Sequence, residues 1–494
     1  MPAQNYFTST GIETYTNPLA SGSDGKLIHS VNMISFPYGG KSKRPGYSAF
    51  LGTPDNAQVN SLFSFSNIGG TATNLNLYRA SGSSVYYSLQ GTGAWTLAGN
   101  GTITNGSHFG HAIGNGGTVL IGGDGVGSTR HSTDGVSFTN TTLAPVAPYF
   151  AEYHGRVYAA GTNSTIFYST SNDATNWNLS GTSDSSSFRI PADGKLSQPF
   201  KAGDRLIIPK TRGEMFNWDD YQLIDMSTKY GPSSPYGITD TEDYRFWVNQ
   251  YGHFGFDGAN SQLLSNAVQR YFYNRQNTGI AGTAFSTIPA VTHFYDYFAS
   301  IGTVTDDFTQ RQISNAILNY NYQKNEYLMW QFANNPTAYH SYFDVNGKRQ
   351  LIFGDASGQC YQLDPTVASD NGSAINTELV YLFSYSSVSP GISAQSAAAY
   401  DKKWNYIRLF FNPGCEVKIQ AAFANTFTYQ HLQWFDIVDS RPNPNNNTSD
   451  GVVEFRFPQG SRSKLLFVRI YEASLNSQWT YYGCSIDAEP VLIQ

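Results

Sequence analysis

Charged residues are scarce in this chain of 494 residues. Asp, Glu, Lys and Arg make up 13% of it, about half the share in a typical soluble domain, and the formal net charge is −6. Affinity for nucleic acid comes mainly from clustered lysines and arginines, so this balance excludes a basic outer surface that grips DNA or RNA. A mildly acidic wall along which DNA slides without sticking is compatible with it.

Cysteine is also scarce. Cys360, Cys415 and Cys484 are odd in number and widely spaced, which predicts buried core thiols rather than a disulfide framework or a metal site. No apolar run approaches the length of a membrane span, and residues 1–16 lack the basic stretch and apolar run of a signal peptide. We therefore expect neither a membrane span nor a signal peptide.

Aromatic and turn-forming residues are abundant instead. The chain has 34 Tyr, 32 Phe and 47 Gly, and aromatics reach 15% of it. Tyr and Phe favour pleated, half-buried surfaces, and Gly and Asn favour tight turns. This composition predicts an all-β protein whose surface is polar without being highly charged.

Three segments of similar pattern begin at Leu77, Val119 and Val157. Each has a short apolar strand, a Gly/Ser/Asn turn, a second strand ending in Ser, a polar turn and then Trp or Phe. The pattern recurs about every 40 residues, the period of a four-stranded propeller blade. The residues that we assign to these structural turns are Ser132, Asp134, Gly135, Phe138, Ser169, Asp173 and Trp177; Ser88 and Trp95 fit the first segment without an Asp.

These turn residues have a structural interpretation. Ser and Asp side chains hydrogen-bond backbone N–H groups two or three residues on, which holds a tight turn between strands. The aromatic residue that follows buries a large ring, and we expect it to pack between adjacent blades. We therefore predict that these residues hold the backbone and take no part in catalysis.

The chain divides into three regions by pattern. Residues 1–55 are predicted to form an N-terminal arm, residues 56–370 a β-propeller, and residues 371–494, with their alternating strands, a C-terminal β-sandwich. Helical spacing of apolar residues predicts short inserted helices at 259–275 and, more weakly, at 306–320.

One motif suggests carbohydrate chemistry. Phe188–Pro191 resembles the Arg-Ile-Pro motif of sialidases, a propeller family in which the motif's arginine clasps the substrate carboxylate. That family places the motif before its Asp-box turns, whereas Arg189 follows the three best turns here. A carbohydrate-binding or sialidase-like propeller, as a receptor-binding protein or glycoside hydrolase, is the alternative function.

Other signs of catalysis or cofactor binding are weak. His108 and His111 stand in a Gly-rich strand-and-turn region without a third ligand nearby in sequence, and residues 114–127 lack the Gly-Lys-Ser/Thr ending of a phosphate loop. We expect no catalytic residue, no metal and no cofactor.

Several longer motifs occur in order along most of the chain. Ser30–Met33 and Gly39–Phe50 contain a Val-Asn-Met string and a Pro-Gly turn, and Leu351–Asp364 contains Gly-Asp-x-x-Gly-x-x-Tyr-x-Leu-Asp. In this order they resemble the tail-hub or nozzle proteins of short-tailed bacteriophages, also called packaged-DNA stabilisation proteins. The other matched segments are residues 153–177, 203–218, 229–238, 375–383 and 469–487.

This resemblance implies a non-enzymatic structural protein of the virion, made in the host cytoplasm and located in the phage tail. It implies a homo-oligomer, a six-membered ring below the portal and adaptor proteins, which continues and closes the DNA exit channel and anchors tail-fibre or tail-tip proteins. Genomic DNA would pass through without sequence-specific binding. Lys41, Lys43 and Arg44 are the candidate contacts with a neighbouring subunit or with DNA phosphate; the alternative interpretation of this basic run is a solvated turn before Pro45-Gly46.

Overall fold

The fold is given by a computed structural model. It describes residues 4–7, 11–12, 25–36, 40–52, 55–66, 75–89, 91–161, 163–181, 183–191, 194–241, 244–272, 279–280, 285–306, 309–384, 400–425, 429–438, 450–472, 474 and 478–491.

The chain begins with five short strands that are distributed over three sheets. These are β1 (Gln4–Phe7), β2 (Lys26–Val31), β3 (Met33–Ser35), β4 (Lys41–Lys43) and β5 (Gly46–Phe50). Strands β1, β3 and β4 belong to one sheet, β2 to a second and β5 to a third, so these five strands connect several parts of the molecule.

Five antiparallel sheets of four strands follow, each a blade in which consecutive strands pair. Blade one is β6 (Val59–Ser66), β7 (Leu75–Ser81), β8 (Ser84–Leu89) and β9 (Thr96–Thr102); blade two is β10 (Gly110–Gly114), β11 (Val119–Gly123), β12 (Arg130–Ser132) and β13 (Thr139–Asn140); blade three is β14 (Tyr149–Tyr153), β15 (Arg156–Ala160), β16 (Thr165–Tyr168) and β17 (Ser186–Arg189); blade four is β18 (Phe200–Ala202), β19 (Arg205–Pro209), β20 (Met215–Trp218) and β21 (Leu223–Asp225); blade five is β22 (Thr239–Asp240), β23 (Arg245–Asn249), β24 (Gly252–Phe256) and β25 (Ser261–Leu263).

Two further blades complete the propeller among the described residues. After β26 (Gly279–Ile280), blade six is β27 (Ala290–His293), β28 (Asp296–Thr305), β29 (Gln312–Asn321) and β30 (Glu326–Gln331), and blade seven combines β31 (Ala338–Phe343), β32 (Arg349–Gly354) and β33 (Cys360–Asp364) with the N-terminal β5. The first strands of neighbouring blades contact one another, as β31 and β6, β10 and β14, and β22 and β27 do, so they line the propeller axis. Pairing of β5 with β33 closes the ring, and the predicted all-β propeller is confirmed.

The remaining strands belong to the sheet of blade seven, to the sheet that continues from blade six and to one further sheet. They are β34 (Ser369–Asp370), β35 (Ser373–Ala374), β36 (Thr377–Phe383), β37 (Lys402–Phe411), β38 (Lys418–Ala424), β39 (Phe435–Asp436), β40 (Val452–Arg456), β41 (Arg462–Ser463), β42 (Leu465–Glu472) and β43 (Thr480–Pro490), of which β34 and β35 extend blade seven. Tyr381 of β36 and Tyr481 of β43 lie 5.3 Å apart between ring centroids in a shared core. Strand β2 pairs with both β36 and β30, so one of these sheets is continuous with blade six. The C-terminal β-sandwich stays a prediction.

The helical predictions need correction. Residues 312–321 form strand β29, which is buried on both faces: Leu318 and Tyr320 face one core cluster and Ile317 another. Residues 259–275 contain β25 and a short 3₁₀ helix, Ser265–Tyr271, because the Leu264 N–H donates to the carbonyl of His253 and extends the sheet. Further 3₁₀ turns lie at Asn115–Gly117 and Tyr429–His431. Within the described ranges, no helix is long and apolar enough to cross a membrane.

Candidate functional site

The turn that joins the last two strands of blade two is held by one carboxylate. Asp134 Oδ1 accepts hydrogen bonds from the N–H groups of Val136 (2.8 Å) and Ser137 (2.9 Å) and from Ser132 Oγ (3.0 Å). Gly135 has φ +71°, a conformation that L side chains rarely adopt, and its N–H donates to Ser132 Oγ. Burial raises the pKa of Asp134, but these backbone N–H donors outweigh burial and hold it below its usual range.

This turn is attached to blade one. The Tyr78 hydroxyl and the Asn76 amide of blade one both donate to the carbonyl of Gly135. Phe138 is buried, and its ring lies 6.5 Å from that of Tyr78. The Asp134 side chain therefore holds backbone, and the ring beside it joins two blades.

The corresponding turn of blade three uses other donors. Ser169 Oγ accepts from the N–H of Val157, and Asp173 Oδ1 accepts from the N–H and hydroxyl of Thr175, so the serine and the aspartate do not bond each other. Trp177 is buried and donates its indole N–H to the carbonyl of Ala174, beside apolar residues of blade two. In blade one, Trp95 contacts Phe50 of blade seven, 6.5 Å between centroids.

Lys41, Lys43 and Arg44 are buried, which corrects the prediction that they contact DNA or a neighbouring subunit. Three ion pairs hold them: Lys41 Nζ lies 3.2 Å from Glu326, Lys43 Nζ lies 3.2 Å from Glu472, and Arg44 makes a bidentate pair with Asp370. Transfer of a charged group from water to the protein interior costs about several kcal/mol per ion. A buried ammonium or guanidinium therefore needs such a partner. These side chains join the N-terminal segment to blade six, to the C-terminal sheets and to the extension of blade seven.

Arg189 lies on the outermost strand of blade three, opposite Thr165, and is exposed. The sialidase reaction needs its arginines to converge on one substrate carboxylate. A residue on the outer edge of one blade is far from the axis where neighbouring blades converge. The position of Arg189 therefore gives the sialidase alternative no support.

The propeller axis is closed by stacked rings. His108 precedes the first strand of blade two and Tyr236 that of blade five, yet their rings stack 3.9 Å apart, so they meet across the axis. His111 stacks on Phe63 of blade one, and His340 of blade seven lies 2.9 Å from Ser64 Oγ. Burial lowers the pKa of His108 and His340 to about 3 and that of His111 to about 4. No group of three or more His, Cys, Asp or Glu side chains suited to a metal ion occurs within the described ranges.

Sequence reasoning missed a cleft between blade six, blade seven and the β3–β4 hairpin, with a volume of about 380 Å³. Its floor contains Asp296, Asn321 and Glu326, which are opposite one another on β28, β29 and β30 and so share one face of the sheet. Asn321 Nδ2 donates to Asp296 (3.0 Å), and burial raises the pKa of Asp296 to about 6. Glu326 pairs with Lys41 through Oε1, while its buried Oε2 has no hydrogen-bond partner in the described structure.

A second cavity of about 840 Å³ adjoins this cleft, and Phe294 and Arg349 line both. Its rim carries exposed aromatic rings: Phe294 is 54% exposed, Tyr295 53% and Phe343 62%. The Arg349 guanidinium lies 5.9 Å from the ring centroids of Phe294 and Phe343. It is oriented by Ser341 Oγ, to which its Nε donates over 3.1 Å.

The signal that indicates this site is the string Asn-Tyr-Asn-Tyr at residues 319–322, whose period of two is typical of a strand with one polar face. The predicted helix at 306–320 overlaps this string, so the strand pattern was not recognised. The two-residue turn between His293 and Asp296 brings the aromatic rim and the polar floor together.

Comparisons with known proteins give no family. No protein-family model matches the chain, and no curated protein matches it. Among solved structures, it is similar to the WD40 repeats of RRP9 (10% identity, TM-score 0.42, covering 65% of this chain and 99% of that one), to YCF48 from Cyanidioschyzon merolae (11%, 0.40, 64% and 99%) and to the WD40 β-propeller domain of Doa1 (9%, 0.40, 65% and 96%).

Proposed function

We propose that this chain is a non-enzymatic structural protein of a short-tailed phage, forming a ring-shaped tail hub below the portal and adaptor. The observation that carries the proposal is the pairing of two motif-bearing segments. Gly46–Phe50 and Cys360–Asp364 belong to two of the motifs that resemble that family, and they are antiparallel partners in blade seven. The ordered motifs therefore meet in the element that closes the propeller.

The side chains of these motifs hold this closure. Asp355 Oδ1 accepts from the N–H groups of Ser357 and Gln359, which fixes the Gly-Asp-x-x-Gly turn. Its Oδ2 accepts from the Tyr361 hydroxyl. Tyr47 is fully buried in β5, and its ring lies 5.2 Å from that of Tyr361. Asp355, Tyr361 and Tyr47 thus help to join the two ends of the propeller.

A closed axis and low charge agree with this role. Because His108 and Tyr236 stack across the axis, a passage for DNA in the proposed ring would lie between copies of the chain and not within one propeller. The net charge of −6 would disfavour tight binding of the phosphate backbone along such a passage. The buried ion pairs of Lys41, Lys43 and Arg44 would keep the propeller and the C-terminal sheets in fixed relation while DNA passes.

Quantitative mass spectrometry of purified virus particles tests the proposal. We expect the chain at a constant copy number relative to the portal protein, corresponding to six copies per particle, after washing that removes loosely bound host proteins. Cryo-electron microscopy of the same particles should then place a propeller ring below the portal. Absence of the chain from washed particles, or a copy number that varies between preparations, would overturn the proposal.

A further inference from the structure

We propose that the cleft formed by Asp296, Asn321, Glu326, Phe294 and Arg349, the blade-six cleft, binds a neutral oligosaccharide. This binding site goes beyond the tail-hub proposal and does not depend on it. Its distinguishing features are a polar floor, an aromatic rim and a balance of acidic and basic side chains.

The floor of the blade-six cleft has hydrogen-bonding capacity that the protein itself leaves unused. Glu326 is one of the residues that line the cleft; it is 3% exposed, and its buried Oε2 has no hydrogen-bond partner in the described structure. A buried polar atom without a partner is costly, and it indicates a missing hydrogen-bond donor. In the same row, Asn321 uses one amide hydrogen on Asp296 and its Oδ1 on the Lys324 N–H, which leaves the second amide hydrogen and the other lone pairs of the Asp296 carboxyl for a ligand. Sugar hydroxyls both donate and accept, and they match such a row.

The rim of the cleft combines exposed aromatic rings with a strained backbone. Phe294 has φ +52°, a conformation that bulky residues rarely adopt, in a two-residue turn where Gly would fit without strain. The Phe294 ring is nevertheless half-exposed, so burial of the ring does not offset the backbone strain. Strained backbone held in place at the edge of a cavity is typical of a binding site. The negative face of an aromatic ring attracts the polarised C–H groups of a sugar face.

The charged side chains that line the cleft favour a neutral sugar over a charged ligand. Lys348 and Arg349 line the cleft together with the carboxyls of Asp296 and Glu326, so the lining carries two basic and two acidic side chains. Single-stranded nucleic acid would need a positively charged groove beside the aromatic rings. The second cavity shares Phe294 and Arg349 with the first, which gives room for a chain of several sugar units.

Binding of the purified chain to an array of neutral and sialylated oligosaccharides, with single-stranded DNA as comparator, tests the proposal. We expect at least one neutral oligosaccharide to bind, and its affinity is then measured by calorimetry. Asp296→Asn should weaken binding by about tenfold, because it removes a carboxyl while keeping the shape of the side chain. Phe294→Gly should weaken it similarly while relieving the strained turn, so the melting temperature should stay close to that of the parent.

Tyr221→Ala is the matched control, since Tyr221 is an aromatic residue 92% exposed in a turn of blade four. It should leave the affinity unchanged. Failure of every neutral oligosaccharide to bind, or equal binding by Asp296→Asn, Phe294→Gly and the parent, would overturn the proposal. Preferential binding of sialylated glycans or of single-stranded DNA would also overturn it. None of these outcomes bears on the particle measurement, so the two proposals fail separately.

Discussion

Arg44 and Asp370, 326 positions apart, form a fully buried bidentate ion pair with N–O distances of 2.8 and 2.6 Å. The same guanidinium donates to Asn32 Oδ1 and to the carbonyl of Gln331, and it lies 4.6 Å from the ring centroid of Phe332. One side chain therefore connects the N-terminal segment, the end of blade six and the extension of blade seven.

Arg44→Met should destabilise the protein by about 3–5 kcal/mol, because it leaves the Asp370 carboxylate buried without its partner. Urea denaturation followed by tryptophan fluorescence measures this loss. Arg456→Met is the control: Arg456 is 78% exposed beside Glu454, and its loss should change stability by less than about 0.5 kcal/mol. Equal effects of the two substitutions would show that the buried pair does not hold the N-terminal segment.

Gly46→Ala should destabilise the propeller at its closure. A Cβ at Gly46 would lie 2.0 Å from the backbone oxygen of Ser369, so β5 or the following segment would have to shift. Overpacking of this kind costs about 1–3 kcal/mol, and more where backbone must move. A Cβ at Gly93 would meet nothing within 4 Å, so Gly93→Ala should be nearly neutral. Urea midpoints of the two variants compare them, and a neutral Gly46→Ala would contradict tight closure.

Asp134→Ala should cost about 1–2 kcal/mol, since three hydrogen bonds to one carboxylate oxygen are lost in the turn of blade two. Thermal unfolding measures the change, and Asp204→Ala, at an exposed position between two strands of blade four, is the control. If glycan binding or any activity fell while stability was unchanged, the structural role assigned to Asp134 would be wrong.

Stability should fall as pH drops from about 6.5 toward 4. The folded-state pKa values of His108, His111 and His340 lie at about 3, 4 and 3, below the ordinary 6.5, so the unfolded chain binds protons first. Their contribution is complete above pH 6.5 and is lost below it, by about 2 kcal/mol per histidine between pH 7.5 and 5. Carboxylates with a lowered pKa, such as Asp134, lose their contribution only at lower pH.

His111→Phe tests this assignment, because phenylalanine keeps a ring against Phe63 and does not titrate. The difference in unfolding free energy between pH 7.5 and 5 should be smaller in this variant than in the parent. His431→Phe, at an exposed histidine, should leave that difference unchanged. An unchanged pH dependence in His111→Phe would contradict burial of an uncharged imidazole at the axis.

The recurring local pattern was enough to predict a propeller, although it was recognised in only the first three of the seven described blades. Ser132, Asp134 and Phe138 lie within seven residues. The hydrogen bonds that form the turn lie inside that stretch, so the local sequence is enough to specify the turn. Strand β29 was not predictable in this way. Burial of both of its faces removes the alternation of a one-sided strand, and the remaining apolar spacing fits a helix equally well.

The candidate site depends on contacts that no local pattern contains. Asp296 and Glu326 come together because β28, β29 and β30 pair in register, and Phe294 is half-exposed because of the turn that connects β27 to β28. Neither the register nor the exposure can be read from residue types alone.

The sequence by itself determined the fold class: its aromatic, Gly-rich and charge-poor composition and its recurring turns specify short antiparallel strands through local hydrogen bonds and burial. The tertiary structure decided which charged side chains are buried. Lys41, Lys43 and Arg44 read as a solvated basic run, and only folding brings Glu326, Glu472 and Asp370 against them from 285, 429 and 326 positions away. A charge can be buried only where its partner is, and the position of that partner is a property of the fold.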